Sequence, residues 1–526
     1  MRLPGLVVMV GVQWRTHRVH ILVWMFALIA SMTVTAAGVA SLYTTPEKIH
    51  SYAAAVTGGS ALVAVNGRVE GIDSLGGVIQ DEFGFLAAFL VPLLGISLVA
   101  QATRREEESG RLEAILGGRV ARHVPAVAGV LVATGAIAVT SVAFALGLDV
   151  CGVPASRAVL YAASLGALAF AFAGLVALLA QVAQHTRDVY SWSLLALAVA
   201  YLLRGVGDVT RTWVTWLSPL GWAEKAAAFG AMRWWTLIIP VLVGGLLAAL
   251  GVLVAAQRDV GSSLLRRGAG PATATSWLRS PLGLALAIHR SAVLGWLAGA
   301  LVLAGMMGAL ARQFVDAVVG NPAMGQVIGM SGNRLADGFL AVTQLYIAII
   351  ATGYAVQAVG ILRSEETTGR LEPRLAGTLS RRGWLVAHGL IIAGGLVVIV
   401  VCSSVVLAAT MAWSMNAPVR LDVIGAGLAY LPAELVVGGF ALALFGLRPR
   451  TLPAAWAMLA AVAFIAFLGP GLKLPGWLLD LSPTTHVGNP PLGSVAPVPL
   501  AVLGVIAATL ISAAAVGFRN RGVPQG

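Results

Sequence analysis

Residues 104–113 read RREEESGRLE, and residues 363–372 read RSEETTGRLE, which is the same pattern 259 positions later. Only 11% of the chain is charged, so two similar clusters of carboxylates and arginines are conspicuous. Each cluster lies between two apolar runs of about 20 residues, the length that a helix needs to cross a bilayer core. The repeat therefore predicts two related halves, each with a charged segment at the same place.

The composition predicts an all-α protein that crosses the membrane many times. Hydrophobic residues make up 58% of the 526 positions, and the mean hydropathy is +0.88. The apolar runs are continuous and not alternating, which favours transmembrane helices over a transmembrane barrel. Twelve spans are predicted, at 21–41, 83–103, 124–146, 157–182, 189–204, 236–256, 291–311, 338–361, 387–411, 423–446, 454–470 and 496–517.

The basic residues predict the orientation of the chain in the membrane. With both termini inside, about two thirds of the 34 Lys and Arg residues fall in inner segments, the pattern of the positive-inside rule. We therefore expect a multi-pass protein of the bacterial plasma (inner) membrane with both termini in the cytoplasm. The basic charge is spread over many short segments, which argues against nucleic-acid binding.

Further repeats support two halves of six spans each. Three sets of residues recur in the same order: His17 and Trp24 match His289 and Trp296, Trp192 and Gly205 match Trp456 and Gly469, and the Leu-Ser-Pro sequence at 217–219 matches that at 481–483. Six spans give both halves the same orientation, so the repeats are expected to be parallel, with a pathway along the pseudo-two-fold axis. The predicted boundaries are 1–256 for the first half, 257–290 for a cytoplasmic linker and second elbow segment, and 291–526 for the second half.

Residues 104–123 and 363–382 are here named the first and second acidic segments. Leucines recur every three to four residues after Gly110 and Gly369, which predicts a short amphipathic helix on the membrane surface in each segment. The two glycines would permit a sharp bend between the spanning helix and that surface helix. The alternative is a solvated loop in which arginines satisfy the positive-inside rule and acids balance them.

The two acidic segments resemble the first cytoplasmic loop of ABC-2 type exporter permeases, in the antibiotic and multidrug efflux branch that includes tetronasin-resistance permeases. The resemblance of the loops rests on REEESGRLEAILGGRVAR and RSEETTGRLEPRLAGTLSRRGWLVAHGL. The resemblance to that branch rests on two six-span halves in one chain, with LSPLGW at 217–222 and RWW at 233–235. In that family the segment is a coupling helix that docks on the ATP-binding subunit. The resemblance assigns ATPase coupling to Glu106, Glu107, Gly110, Arg111 and Glu113, and to Glu365, Glu366, Gly369, Arg370 and Glu372.

Two departures from the family pattern are visible in the segments. The family's Leu-Ser-Arg turn is matched by Leu379-Ser380-Arg381 but not by Val120-Ala121-Arg122. Pro373 replaces Ala114, so the second surface helix is expected to start later and to dock differently.

An ATP site is not expected in this chain. The sequence has no G-x-x-x-x-G-K-[ST] motif, and its only lysines, Lys48, Lys225 and Lys473, are predicted to lie outside. The resemblance implies two copies of a separate ATP-binding subunit that carry ATP and Mg, while this permease has no cofactor, metal or catalytic residues of its own. A proton-coupled secondary multidrug transporter and a lipid exporter are the alternatives, and the sequence has no catalytic constellation that favours an enzyme.

Candidate contacts for a hydrophobic cargo lie within the spans. Glu434 is the only acid well inside a span, where a charged carboxylate costs about 2.5–3.5 kcal/mol. It is either linked to substrate or protons, or protonated and donating to a carbonyl that Pro432 leaves free. The other candidates are aromatic and amide residues, for which ordinary helix packing is the alternative: Phe85, Phe89, Trp192, Gln344, Tyr346, Tyr354, Gln357, Trp456, Phe464 and Phe467.

Two loops rich in Trp, Gly and Pro follow the fifth span of each half, at 204–235 and 471–495. The resemblance implies short re-entrant helices that close the outer end of the path. An interfacial aromatic turn is the alternative.

Overall fold

The computed structural model describes residues 3–57, 63, 66–116, 120–259, 261–265, 273, 275–320, 334–377, 379–468 and 475–522. All regular elements in these residues are helical, and the chain forms two compact units, Met1–Gly270 and Pro271–Gly526. Twelve helices are long and apolar enough to cross a bilayer, six in each unit, so the predicted all-helical class with twelve spans is confirmed. Of the residues used for the sequence predictions, 117–119, 378, Gly469, Lys473 and much of the linker lie outside the described part of the chain.

The described part of the first unit has six long helices and three shorter ones. They are α1 (Leu3–Leu42), α2 (Pro46–Thr57), α3 (Leu75–Ala100), α4 (Arg111–Leu116), α5 (Val124–Val150), α6 (Ala155–Val182), α7 (Thr186–Thr210), α8 (Pro219–Glu224) and α9 (Ile238–Gln257). The six spans are α1, α3, α5, α6, α7 and α9, and α3 continues as helix through a π-helical turn at Gln101–Arg105 to Glu108.

The described part of the second unit also has six spans, with short helices between some of them. They are α10 (Pro281–Gly320), α11 (Arg334–Thr367), α12 (Leu371–Leu375), α13 (Arg381–Met415), α14 (Asp422–Leu428), α15 (Leu431–Leu447), α16 (Pro453–Leu468), α17 (Gly476–Leu479) and α18 (Pro497–Asn520). The fourth span is α14 followed by α15, with Pro432 in the first turn of α15, where a missing N–H is tolerated.

The first span of each unit starts earlier than the sequence predicts. Starts at 21 and 291 were expected, but α1 begins at Leu3 and α10 at Pro281, and both are single helices of 40 residues. The charged stretch Arg15–His20 does not break α1, because no proline or glycine interrupts it and Arg15 and Arg18 are exposed. The fifth span also ends later, at Thr210, because the helical pattern passes through Arg204.

The second and fourth spans form the inside of each unit. In the first unit, 67% of the most apolar window of these spans is buried, against 22% for the first and sixth spans. In the second unit the corresponding share is 61% for both inner spans. The loop after the second span is therefore attached to the best-packed helices of its unit.

The fourth and sixth spans pack closely in both units. A Cβ at Gly174 of α6 would lie 2.1 Å from the Gly244 carbonyl oxygen of α9, and a Cβ at Gly446 of α15 would lie 2.3 Å from the Ala514 oxygen of α18. Small residues allow the two helices to approach closely. In lipid, where the hydrophobic effect does not bring helices together, this close packing drives their association. The sixth span is thus held against the inner fourth span.

The loops after the fifth spans contain short helical turns. In the first unit these are a 3₁₀ turn at Trp213–Leu217 and then α8, and in the second they are α17 and a 3₁₀ turn at Pro483–Val487. The buried hydroxyl of Ser218 donates to the Ala200 carbonyl of α7 over 2.6 Å, so the first Leu-Ser-Pro sequence holds its loop on the fifth span.

Candidate functional site

Each acidic segment is built as a bend followed by a short helix. Gly110 has φ +74° and Gly369 has φ +69°, and neither has any atom within 4 Å of an added Cβ. The glycines are therefore required by the left-handed backbone and not by lack of space. The predicted surface helices are present as α4 and α12, and α12 starts one aligned position later than α4, as the Pro373 substitution predicts.

Glu107 is buried at the end of the second span and holds three donors. Its Oε2 accepts from Nη1 of Arg104 at 2.8 Å and from Nη2 of Arg258 at 2.7 Å, and its Oε1 accepts from the Gly261 N–H at 2.6 Å. Arg258 follows the last residue of α9, the sixth span. One carboxylate therefore joins the first acidic segment to the end of the sixth span and the start of the linker.

Arg104 and Arg258 are themselves held by backbone and side-chain carbonyls. Arg104 donates to the Gln184 carbonyl through Nε at 2.9 Å and Nη2 at 2.6 Å, and through Nη1 to the Ser262 carbonyl at 3.1 Å. Arg258 donates through Nε to Oε1 of Gln181 at 3.1 Å. These bonds also tie the first acidic segment to the end of α6.

Glu106 closes a second contact on the first acidic segment. Its Oε1 lies 3.2 Å from Nε2 of His17 on α1 and 2.9 Å from Nη2 of Arg111. The neighbouring Glu108 is partly exposed and accepts from the backbone N–H of Thr186 at 3.0 Å, at the first turn of α7. The three consecutive glutamates thus contact three different spans of the first unit.

Glu366 repeats the Glu107 arrangement in the second unit. It forms a bidentate pair with Arg521, in which Nη2 donates to Oε2 at 2.6 Å and Nη1 donates to Oε1. Arg521 follows the last residue of α18, the sixth span of this unit. Its guanidinium also lies over the rings of Phe445 and Phe518, at 5.1 and 5.2 Å from their centroids.

Glu365 is held within the second acidic segment. It is buried and pairs with Arg374 on α12 and with Arg370, whose Nη1 lies 3.4 Å from Oε1. Arg381, the first residue of α13, donates to the Arg521 carbonyl at 2.7 Å. The second segment is therefore joined to the end of α18 by both a side-chain pair and a backbone bond.

The outward-facing charges of the segments are different from the buried acidic pairs. Glu113 and Glu372 are exposed, and the side chains of Arg111 and Arg370 are 57% and 65% exposed. The resemblance assigns ATPase coupling to Glu106, Glu107, Glu365 and Glu366, but all four carboxylates are buried and paired within the chain, so they are not free to present charge to a partner.

Arg258 and Arg521 are site residues that sequence reasoning missed. Both stand immediately after the last helical residue of a sixth span, which is a position where the positive-inside rule already accounts for an arginine. Their alignment to each other, at an offset of 263, differs from that of the acidic segments, at 259. Only the three-dimensional contact distinguishes them from the other arginines that the positive-inside rule predicts to lie inside.

Two of the three cargo candidates of the first unit, Phe85 and Phe89, form an aromatic row with Tyr201. Phe85 and Phe89 are half-buried on α3 with ring centroids 5.2 Å apart, and Phe89 lies 4.9 Å from Tyr201 on α7. Trp192 is exposed near the start of α7. The second and fifth spans of this unit therefore share an aromatic surface.

The cargo candidates of the second unit divide into exposed and buried residues. Tyr346 stacks on Phe467 at 4.6 Å, and these two are exposed together with Gln357, Trp456 and Phe464. Gln344 and Tyr354 are buried and hold other helices. Gln344 donates to Ser404 at 3.0 Å and to the Val423 carbonyl at 2.7 Å, and Tyr354 donates to the Ile391 carbonyl at 3.3 Å.

Glu434 is buried in the first turn of α15. Neither carboxyl oxygen has a hydrogen-bond partner among the described residues, so the donation to a carbonyl freed by Pro432 is not seen. An unpartnered polar group at this depth is costly, which makes Glu434 the least explained side chain of the second unit.

The loop after the fifth span of the first unit encloses a second cluster of carboxylates. Glu224 ends α8 and accepts from the Arg68 N–H at 2.7 Å, and Thr215 donates to Asp208 at 3.0 Å. Burial raises the pKa of Glu224 well above its ordinary value, nearby Asp208 adds to the rise, and Arg204 opposes it. This cluster fastens the loop at 204–235 to the end of α7.

Metal chemistry has no support in the described part of the chain, where no three His, Cys, Asp or Glu side chains lie close enough to hold an ion. Cys151 and Cys402 are free thiols. The described part of the chain thus presents two ion-paired loop segments and several aromatic surfaces.

Comparison with known proteins assigns the family. The chain matches the family described as "Multidrug efflux system permease Rv1217c, C-terminal domain" over residues 6–254 and 278–519. It is 32% identical over 516 residues to the multidrug efflux system permease protein Rv1217c of Mycobacterium tuberculosis (strain ATCC 25618 / H37Rv), which covers 97% of this chain and 93% of the relative. Both acidic segments fall inside the matched ranges. The chain therefore belongs to the Rv1217c family of multidrug efflux permeases.

Proposed function

We propose that this permease is the membrane-spanning subunit of an ATP-driven exporter of the ABC-2 type, which moves hydrophobic drugs or antibiotics out of the cell. The observation that carries the proposal is the repeated acidic segment, built in both units as a bend at a left-handed glycine, a short helix and a buried acidic pair. A solvated loop needs no left-handed glycine, no short helix and no buried acidic pair. A segment that transmits force has to be rigid, and these three features make it rigid.

Two copies of a separate ATP-binding subunit would dock on α4 and α12 in the cytoplasm and supply ATP and Mg. The docking charges would be the exposed ones, Arg111 and Glu113 in the first segment and Arg370 and Glu372 in the second. The acidic pairs Glu106–Glu107 and Glu365–Glu366 would then serve coupling indirectly, by fixing the shape of the docking helix. Both termini would lie in the cytoplasm and the chain in the bacterial inner membrane.

The cargo is proposed to be a bulky apolar molecule, in keeping with the name of the relative, which is a multidrug efflux system permease. Exposed aromatic residues in the fifth spans and around Tyr346 offer apolar area with little demand on cargo geometry. Gln344 and Tyr354 are weaker candidates, because cargo contact would break the bonds that hold their helices.

Docking is tested by reversing the exposed acids. Membranes of the native host expressing tagged permease are solubilised, and the co-purified ATP-binding subunit is measured by mass spectrometry. We expect Glu113→Arg with Glu372→Arg to lower the recovered ATP-binding subunit about tenfold, since a like-charge contact costs on the order of a kcal/mol or more at each interface. Glu47→Arg makes the same charge change at an exposed residue of α2 and should leave recovery unchanged. Unchanged recovery with the double reversal would contradict docking at these helices.

The proton-coupled alternative rests on Glu434, which is buried without a partner among the described residues. We expect Glu434→Gln to keep export of ethidium, used as a fluorescent dye, at every pH tested, because ATP hydrolysis supplies the energy. Inverted vesicles should accumulate the dye with ATP present and the proton gradient collapsed. Loss of export in both measurements would favour the secondary transporter.

A further inference from the structure

We propose that in each unit an acid of the acidic segment and an arginine at the end of the sixth span form a latch that makes the sixth span move with the segment. The two latches are Glu107–Arg258 and Glu366–Arg521. This inference rests on the proposed function, and it adds positioning residues that the resemblance does not assign.

The two latches occupy equivalent places. Glu107 and Glu366 are the second acids of aligned segments, and Arg258 and Arg521 are each the first residue after a sixth span. The contacts around them have diverged, since Glu107 also holds Arg104 and the Gly261 N–H, whereas Arg521 lies over two phenylalanine rings. The acid–arginine pair is the contact that both units retain.

Both latches are shielded from water. The side chains of Glu107 and Arg258 are 5% and 10% exposed, and those of Glu366 and Arg521 are 3% and 15% exposed. Exposed ion pairs contribute little because water and salt screen them, whereas opening a buried pair leaves at least one buried charge without its counter-charge. The pair therefore behaves as a rigid link and not as a passing surface contact.

The latch links the acidic segment to a span that does not adjoin the segment in the chain. An acidic segment is the chain between the second and third spans, so these two spans follow its movement directly. The sixth span is separated from it by more than a hundred residues of chain, and the latch is the ion pair between them that both units share. Because the sixth span also packs on the inner fourth span at Gly174–Gly244 and at Gly446–Ala514, a pull on the latch reaches the centre of the unit.

The test uses the second unit, where Glu366 and Arg521 pair with each other most simply. The full permease is purified with its ATP-binding subunit, reconstituted in vesicles, and assayed for ethidium export and for the stimulation of ATP hydrolysis by ethidium. We expect Glu366→Arg and Arg521→Glu each to lower export at least about fivefold per folded molecule, the low end of typical coupling between sites. For Arg521→Glu, basal ATP hydrolysis and co-purification should persist while stimulation by ethidium is lost, which a general structural defect would not produce.

Controls separate the latch from its neighbours. Arg519→Glu makes the same charge change on an exposed side chain two residues away and should export normally. Glu366→Arg combined with Arg521→Glu restores the pair and should recover part of the export. Recovery should be less than complete, because a carboxylate at position 521 cannot lie over the two phenylalanine rings as the guanidinium does. If either reversal fails to fold, Arg521→Lys should keep stimulation and Glu366→Gln should lose it.

Two results would overturn the latch: single reversals that export normally, or a folded charge swap that recovers nothing. Failure of the proposed function gives a different outcome. In that case the wild-type permease would co-purify with no ATP-binding subunit, and ethidium export would be indifferent to ATP, whatever the latch variants did.

Discussion

At the scale of single residues, the glutamates of the acidic segments show what sequence can and cannot predict. The pattern identified Glu107 and Glu113 as equally charged members of one segment, yet one is buried on two arginines and the other is exposed. A charged residue in a polar loop is normally solvated. Burial of Glu107 depends on its ion pair with Arg258, which lies 151 positions away in the chain. No local pattern carries that information.

This difference predicts unequal effects on stability. Glu107→Gln should lower the free energy of unfolding by about 3 kcal/mol, because Arg104 and Arg258 lose their counter-charge while the amide oxygen keeps only part of the bonding. Glu113→Gln should change it by less than about 0.5 kcal/mol. Thermal unfolding of the detergent-purified permease, followed by tryptophan fluorescence, measures both. Equal shifts for the two variants would mean that Glu107 is not paired as described.

At the scale of helices, the spans were predictable and their ends were not. Hydropathy found all twelve spans because the membrane imposes a local requirement on every residue that faces it. The true starts of α1 and α10 were missed, since a helix can continue past the membrane through polar residues such as Arg15 and Arg18. The bend at each acidic segment was predicted correctly from Gly110 and Gly369, because only the backbone of glycine adopts positive φ easily.

The contact between the fourth and sixth spans leads to a prediction on adjacent glycines. Gly244→Val should reduce the yield of folded permease strongly, because its Cβ would lie 2.9 Å from backbone atoms of Ala171 and Phe170 on α6. Gly245→Val adds the same side chain to the same helix, where nothing lies within 4 Å, and should be tolerated. Size-exclusion chromatography of fluorescently tagged protein measures the folded fraction. Similar profiles for the two variants would contradict the close packing of α6 and α9.

At the scale of the whole molecule, twelve spans and membership of a multidrug efflux permease family agree with the composition and the repeated segments. Composition and repeats do not identify the cargo in the same way. Aromatic residues in spans serve packing and binding alike, and the structure assigns Gln344 and Tyr354 to packing while leaving Tyr346, Trp456 and Phe464 exposed. The identity of the cargo, which is a molecule outside the chain, therefore has to be determined by experiment.

The orientation of the chain gives the last prediction, which concerns both acidic segments together. Six spans separate corresponding points of the two units, so α4 and α12 should both face the cytoplasm, where basic residues are retained. In a background with Cys151→Ser and Cys402→Ala, Glu113→Cys and Glu372→Cys should react with a membrane-impermeant maleimide only in inverted vesicles. Trp213→Cys and Trp477→Cys, on the exposed loops after the fifth spans, should react only in intact cells. Labelling of the two segments from opposite sides would rule out ATP-binding subunits beneath both, because ATP and those subunits are confined to the cytoplasm.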